Sequence, residues 1–207
     1  MNTFGETPKQ AATYADIEAA PENVIAEILD GELVTQPRPS PRHSAAASVL
    51  GAVLTGPYQN ALDGPGGWIF FFETEVKFVD DLLVPDIAGW RRERLPGYPE
   101  KNYFTIRPDW VCEILSGSTE RRDRTVKTRI YANAGVPYLW LLDPRAQILE
   151  TFELAGGRWA KSGAWSAGEI VRVPPFDVVS FSLADLWPLD RPLGFNEDPT
   201  PYYVGDR

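Results

Sequence analysis

Two apolar stretches, Leu-Leu-Val-Pro-Asp-Ile-Ala-Gly-Trp at residues 82–90 and Trp-Val-Cys-Glu-Ile-Leu at residues 110–115, decide how the chain can fold. Each has the composition of a buried or half-buried β-strand, and each contains one carboxylate, Asp86 or Glu113. An ionised carboxylate in a strand interior is costly unless a cation or several hydrogen-bond donors accompany it. Strand periodicity places Asp86 on the face of Val84 and Ala88, and Glu113 on the opposite face from Cys112. We therefore expect two buried acids that share a cation.

If these two strands are neighbours, the carboxylates of Asp86 and Glu113 can bind one ion together with the backbone carbonyl of Ile114 and water. A ligand set made only of oxygen atoms suits Mg²⁺ or Mn²⁺ better than zinc. A helix beginning at Asp123 carries Lys127 one turn later, from where its amine can reach across the sheet toward the ion. Two acids and a lysine around a divalent cation can hydrolyse phosphodiesters, with Lys127 positioning or activating water. An exposed Asp123–Lys127 pair, worth about 0.3–0.5 kcal/mol, agrees equally well with the spacing.

The composition is that of a globular protein with one hydrophobic core. The 207 residues include 43% hydrophobic and 24% charged residues, and no stretch resembles a signal peptide or a membrane span. The single cysteine, Cys112, excludes an intramolecular disulfide and a thiolate zinc site, and we expect it to be an inert core residue in a cytoplasmic protein.

A net charge of −9 argues against a surface that attracts nucleic acid everywhere, so contact with DNA would have to be local. Two basic segments follow the acidic stretches and could provide that contact. They contain Arg91, Arg92, Arg121, Arg122 and Arg124. Solvated loops held by salt bridges explain both segments equally well.

Along the chain we expect a loose N-terminus at residues 1–12, one domain at 13–187 and a Pro-rich tail at 188–207. A hairpin should turn at Asp30-Gly31, a helix should span 43–58, and one strand should span 68–79 and pair with the strand that carries Asp86. The stretch 138–142 is apolar on both faces, which indicates a central strand parallel to the Glu113 strand and joined to it by a helix. A second hairpin should join 147–154 to 157–164.

Other polar residues have simpler structural explanations. His43 is the only histidine, and lone histidines are more often structural than catalytic, so we treat it as an accessory candidate. Glu27 and Glu32 flank the Asp-Gly turn and are expected to be surface or supporting residues, with Glu32 kept as the second accessory candidate. Exposed aromatic residues in 152–203 favour a homodimer weakly.

Seven short segments occur in an order that resembles a known family. They are Ile-Leu-Asp-Gly-Glu (28–32), a Pro-to-His segment (38–43), Val-Pro-Asp (84–86), Pro-Asp-Trp-Val-Cys-Glu-Ile-Leu-Ser (108–116), Asp-Arg-x-x-Lys (123–127), Tyr-Ala-x-x-Gly-Val (131–136) and Leu-Trp-Leu-Leu-Asp-Pro (139–144). Together they resemble the Uma-two endonuclease family of the PD-(D/E)XK restriction-endonuclease-like superfamily, from about Tyr14 to Trp187.

The resemblance implies an α/β (α+β) restriction-endonuclease-like fold, in which a mixed β-sheet is flanked by helices and extra β-hairpins lie at both ends. It also implies nuclease ancestry and a metal held by Asp86 and Glu113. Our leading hypothesis is an endonuclease that uses Mg²⁺ or Mn²⁺ to cut DNA, and the sequence alone does not distinguish DNA from RNA. Leu115 occupies the superfamily's lysine position, so the resemblance places that lysine on the next helix, as Lys127. Leu115 and the net charge favour an alternative, a non-catalytic binding or regulatory module with the same fold. A third reading is a nuclease that works with a separate recognition protein, since no DNA-recognition motif is visible.

Overall fold

A computed structural model of the chain describes residues 11–190. The strands, in chain order, are β1 (Val24–Leu29), β2 (Glu32–Pro37), β3 (Trp68–Phe72), β4 (Glu75–Phe78), β5 (Asp81–Leu83), β6 (Ile87–Arg91), β7 (Tyr103–Phe104), β8 (Trp110–Ile114), β9 (Tyr138–Asp143), β10 (Ile148–Ala155), β11 (Arg158–Ser166), β12 (Ile170–Val171) and β13 (Phe181–Ser182). The helices are α1 (Tyr14–Glu18), α2 (Pro41–Leu54), α3 (Glu120–Arg122) and α4 (Thr128–Asn133). Two π-helical turns, Thr55–Gln59 and Asp123–Lys127, extend α2 and join α3 to α4, and short 3₁₀ turns lie at Arg92–Arg94 and Leu183–Leu186.

A six-stranded mixed sheet forms the centre of the fold, in the order β11-β10-β9-β8-β6-β3. Strands β8 and β9 are parallel, and the helical segment from α3 to α4 connects them, as a parallel pair requires. The other neighbours in this sheet are antiparallel. This arrangement places β8, the strand that carries Glu113, next to both β6 and β9.

The two faces of the central sheet pack into two separate cores. On one face, Trp110, Cys112 and Ile114 of β8 pack with Leu50 of α2 and with Phe176. On the other face, the alternate residues of β8 pack in a core that contains Ile130 and Tyr131 of α4 and residues of a second sheet. Glu113 points toward this second core because it alternates with Cys112 and Ile114.

The second sheet has five strands in the order β2-β1-β5-β4-β7. The hairpin of β1 and β2 turns at Asp30-Gly31, where Gly31 has φ of +74°, a conformation that glycine adopts without steric cost. The mixed sheet, the flanking helices and the hairpins β1–β2 and β10–β11 confirm the predicted fold class.

Two predictions about strands are wrong. The expected single strand at 68–79 is broken at Glu73, which has φ of +45°, and its two halves, β3 and β4, belong to different sheets. Asp86 lies in a bend immediately before β6 instead of inside a strand, so strand alternation does not determine its orientation. Each half of 68–79 does pair antiparallel with part of 81–91, since β4 pairs with β5 and β3 pairs with β6.

Most of the predicted loose N-terminus (1–12) and Pro-rich tail (188–207) lies outside the described residues. No helix in residues 11–190 combines the length and the apolar character needed to cross a membrane.

Candidate active site

A pocket of about 290 Å³ opens where several parts of the chain meet, including the segments that follow β2 and β9. The N-terminal turn of α2, the bend before β6, the end of β8 and the Ser116–Thr119 turn form its walls. Asp86, Glu113, Ile114 and His43, four of the residues proposed from the sequence, all line it. The fold therefore brings two carboxylates from different strand regions to one concave surface.

Asp86 is anchored by two donors. Its Oδ2 accepts a hydrogen bond of 2.6 Å from the backbone N–H of Ile114, and its Oδ1 lies 3.1 Å from Nε2 of His43. The first contact ties the bend before β6 to the neighbouring strand β8, directly beside Glu113. The Asp86 side chain remains 14% exposed, so it is open to the pocket.

Glu113 is held more deeply, with only 2% of its surface exposed. Its Oε1 accepts a hydrogen bond of 2.5 Å from the Tyr131 hydroxyl, and its Oε2 accepts one of 2.8 Å from Nζ of Lys127. Both donors come from the helical segment that crosses from β8 to β9. They fix the orientation of the carboxylate that faces the pocket.

Lys127 lies beneath the pocket and is not part of its lining, because its side chain is 1% exposed. Its Nζ contacts Glu113 and also lies 3.0 Å from Oε1 of Glu27 and 3.9 Å from Oδ1 of Asp123. The π-helical turn Asp123–Lys127 contributes two of these groups, and such turns are frequent at functional sites. The sequence also allowed an exposed Asp123–Lys127 pair, but the side chains of both residues are buried.

The sequence did not single out Glu27 and Asp123 as members of this cluster. Glu27 is fully buried in β1, where Oε1 also accepts a 2.8 Å hydrogen bond from the Val84 N–H. Its position in the apolar run 24–29 is the same signal that identified Asp86 and Glu113. Glu32, the accessory candidate, is instead exposed at the start of β2 and does not line the pocket.

The cluster contains more acidic than basic groups. Burial raises the pKa of Glu113 well above its ordinary value, and the nearby Lys127 charge only partly opposes this shift. Burial likewise raises the pKa of Asp123. Burial by itself would lower the pKa of Lys127, but the charges of Glu113, Glu27 and the other acids raise it well above the usual range. We infer that Lys127 is a permanent cation whose single charge does not neutralise its carboxylate neighbours.

His43 is the third residue of α2 and is 7% exposed. Burial would lower the pKa of its imidazole, but the hydrogen bond and charge of Asp86 outweigh that effect and raise it. Its Nδ1 is buried and has no hydrogen-bond partner within residues 11–190. His43 and the Ile114 N–H thus contact different oxygen atoms of the Asp86 carboxylate.

The carboxylate oxygens in the pocket fit a divalent cation. Asp86 and Glu113 supply hard oxygen ligands on one pocket, and a bound cation would favour the ionised form of Glu113, which burial disfavours. In the part of the chain that the structure describes, no three His, Cys, Asp or Glu side chains form a ready-made metal cluster. A cation would therefore need to complete its coordination with backbone oxygen atoms and water.

The structure places the five predicted DNA-contacting arginines away from the pocket lining. Arg91 and Arg92 are at the opposite end of β6, roughly 16 Å from Asp86 at about 3.3 Å per residue. Arg91 packs over the ring of Trp68, and Arg92 donates to the carbonyl of Leu95. Antiparallel pairing with β8 directs the C-terminal end of β6 toward the start of β8, which is the end opposite to Glu113.

The arginines of the second predicted basic segment do not line the pocket either. Arg124 is bound to Glu120 and Glu150, Arg121 is exposed on α3, and Arg122 is half-buried. The basic residues that do line the pocket are Arg38, Arg42 and Arg145. No sequence pattern singled them out, because they come from three separated segments.

Comparison with known proteins agrees with the fold. A family model, Uma2, described as "Putative restriction endonuclease", matches residues 11–184. A solved structure described as "a putative nuclease belonging to DUF820" from Anabaena variabilis ATCC 29413 is similar at 26% identity, with a TM-score of 0.61, over 79% of this chain and 89% of that chain. A search of curated proteins finds no match. Because the family model spans most of the 207 residues, this chain belongs to the Uma2 family.

Proposed function

We propose that this protein is a metal-dependent endonuclease that hydrolyses DNA phosphodiester bonds. The observation that supports this most strongly is the meeting of Asp86 and Glu113 at one pocket, with Nζ of Lys127 at 2.8 Å from Glu113. Membership of a family described as restriction endonucleases supports nuclease activity in general. DNA as the substrate, and Mg²⁺ or Mn²⁺ as the cofactor, are part of our proposal.

In this proposal Asp86 and Glu113 hold the cation, which when bound polarises the phosphate and lowers the pKa of a water molecule. His43 and the Ile114 N–H orient Asp86, and Tyr131 orients Glu113. The carbonyl of Ile114 is the proposed backbone ligand.

We propose for Lys127 a role that differs from the one suggested by its sequence position. Its amine is surrounded by carboxylates and lies outside the pocket lining, so direct contact with the attacking water would require it to leave Glu113 or Glu27. We therefore assign Lys127 as a positioning residue that orients the Glu113 carboxylate and partly opposes the rise in its pKa that burial causes. This role explains why the chain can carry Leu115, a buried core residue, at the superfamily's lysine position.

Plasmid nicking tests the proposal directly. The purified protein should convert supercoiled DNA to nicked or linear DNA with Mg²⁺ or Mn²⁺ and lose this activity in EDTA. Asp86→Asn should lose at least about a hundredfold in rate, because it removes a charged ligand while keeping the side-chain shape. Glu93→Gln, an exposed acid at the far end of β6, is the matched control and should retain full activity. Equal activity in Asp86→Asn and the wild type would exclude the assignment.

A non-catalytic binding module is the second candidate. It is favoured because the four carboxylate oxygens of Asp86 and Glu113 already have protein partners. Titration calorimetry with Mn²⁺ separates the two functions. Heat that is lost in Asp86→Asn supports a metal site, whereas the absence of both heat and nicking in the wild type favours the binding module.

A further inference from the structure

Three arginines surround the mouth of the pocket, although they are far apart in the sequence. Arg38 follows β2, Arg42 lies in the first turn of α2, and Arg145 follows β9. Their side chains are 58%, 47% and 52% exposed, respectively. All three guanidinium groups are therefore accessible to a large ligand that approaches Asp86 and Glu113.

Each of these arginines is paired with an exposed carboxylate. Arg38 lies 3.5 Å from Glu73, and Arg145 lies 2.7 Å from Glu120. Exposed ion pairs of this kind contribute only about 0–1 kcal/mol, so exchanging one carboxylate for another oxyanion costs little. A phosphate group can take the place of the carboxylate, because the planar guanidinium group of arginine can form two parallel hydrogen bonds to phosphate oxygens.

Arg42 shows how such an oxyanion would be held. Both of its terminal nitrogens donate to Asp190, at 2.5 Å to Oδ2 and 2.9 Å to Oδ1, in a two-point contact. The same fork can hold two oxygens of a phosphodiester. Arg42 also lies in the first turn of the 14-residue helix α2, whose dipole favours anions nearby.

We propose that Arg38, Arg42 and Arg145 form the surface that binds the phosphate backbone of nucleic acid across the pocket. This inference rests on the proposed nuclease function and names where its substrate is bound. Asp190 then acts as a competitor that occupies Arg42 until a phosphate displaces it. Because backbone contacts carry no sequence information, this surface gives affinity without base preference.

Fluorescence anisotropy with a labelled DNA duplex tests this surface without turnover. The measurements use the full chain carrying Asp86→Asn, with Ca²⁺ present, so that cleavage does not interfere. Alanine at Arg38, Arg42 or Arg145 should weaken binding by roughly tenfold, as expected for the loss of a charge-assisted hydrogen bond. Each change should also reduce the slope of log affinity against log salt by about 1, and by the same amount for two unrelated sequences.

Two further variants test the surface in other ways, since one should leave the affinity for DNA unchanged and the other should increase it. Arg91→Ala, at the far end of β6, is the matched control and should leave affinity and salt slope unchanged. Asp190→Asn frees Arg42 of its charged competitor and should tighten binding by about 1.5- to 5-fold. Circular dichroism of each variant checks that the fold is intact.

The proposal is overturned if the Asp86→Asn protein does not bind the duplex, or if Arg91→Ala weakens binding as much as the three pocket variants do. If binding depends on the three arginines but the wild type does not cut DNA, the surface is supported and the nuclease proposal fails. If the wild type cuts DNA and the arginine variants bind normally, the nuclease proposal is supported and the surface fails.

Discussion

Replacing Lys127 by methionine should destabilise the protein far more than an ordinary loss of a salt bridge. The amine is 1% exposed and lies 3.0 Å from Glu27 and 2.8 Å from Glu113, two acids that are themselves 0% and 2% exposed. Removing it leaves buried carboxylates without their counter-charge, which costs about 3–5 kcal/mol. For a chain of this length, that loss lowers the melting temperature by roughly 6–20 °C.

Urea unfolding, extrapolated with a common slope for all variants, measures this loss. Arg129→Met is the matched control, since Arg129 lies two residues further along and its pair with Asp30 is about half-exposed on both sides. It should cost no more than about 1 kcal/mol. The triple change Lys127→Met, Glu27→Gln and Glu113→Gln should recover much of the loss, because it removes the acids together with the base.

Acidification gives a second test of the same reasoning. Burial already raises the pKa of Glu113, and without Lys127 no cation opposes that shift. Between the ordinary pKa near 4.5 and the raised pKa, the folded variant binds more protons than the unfolded chain, so its free energy of unfolding rises as pH falls. A loss below about 1 kcal/mol in Lys127→Met, or a loss that grows on acidification, would refute the buried-pair argument.

Two other predictions concern the polar groups that surround the site and the core. The His43–Asp86 contact should stabilise the fold below about pH 6.5 and lose this effect as pH rises through the raised pKa of His43. Urea unfolding should therefore show a larger deficit of Asp86→Asn relative to the wild type at about pH 5.5 than at about pH 8.5; equal deficits would contradict it. Tyr58→Phe should cost about 1–3 kcal/mol, because the hydroxyl accepts hydrogen bonds from the N–H groups of Val178 (3.1 Å) and Val179 (2.9 Å). A change of less than about 0.5 kcal/mol in urea unfolding would show that water replaces the hydroxyl.

The sequence predicted the part of the site that depends on local pattern. A carboxylate inside an apolar run marks Asp86 and Glu113. The helical spacing from Asp123 to Lys127 agreed equally well with an inward-reaching lysine and with an exposed ion pair. The same signal was present for Glu27, but its proximity to the Asp30-Gly31 turn favoured a surface interpretation. Its burial follows from the packing of β1 near β8 and the crossover helix, which is a tertiary property.

Other features depended on topology that local pattern does not encode. The break at Glu73 requires a positive φ at a residue other than glycine, and tertiary packing on two different sheets imposes it. The basic residues near the pocket were missed for a similar reason. The fold alone brings Arg38, Arg42 and Arg145 to one pocket. Arg91 and Arg92, which stand out in the sequence, lie at the C-terminal end of β6, away from Asp86.

The ammonium group of Lys127 connects the two β-sheets by ion pairs. Glu27 belongs to the five-stranded sheet and Glu113 to the six-stranded sheet, and the amine is bound to both. Local opening at either sheet would therefore leave a buried charge without its partner, so the hairpin of β1 and β2 and the strand β8 should gain or lose order as a unit. The ion pairs that orient the Glu113 carboxylate thus also hold the two sheets together.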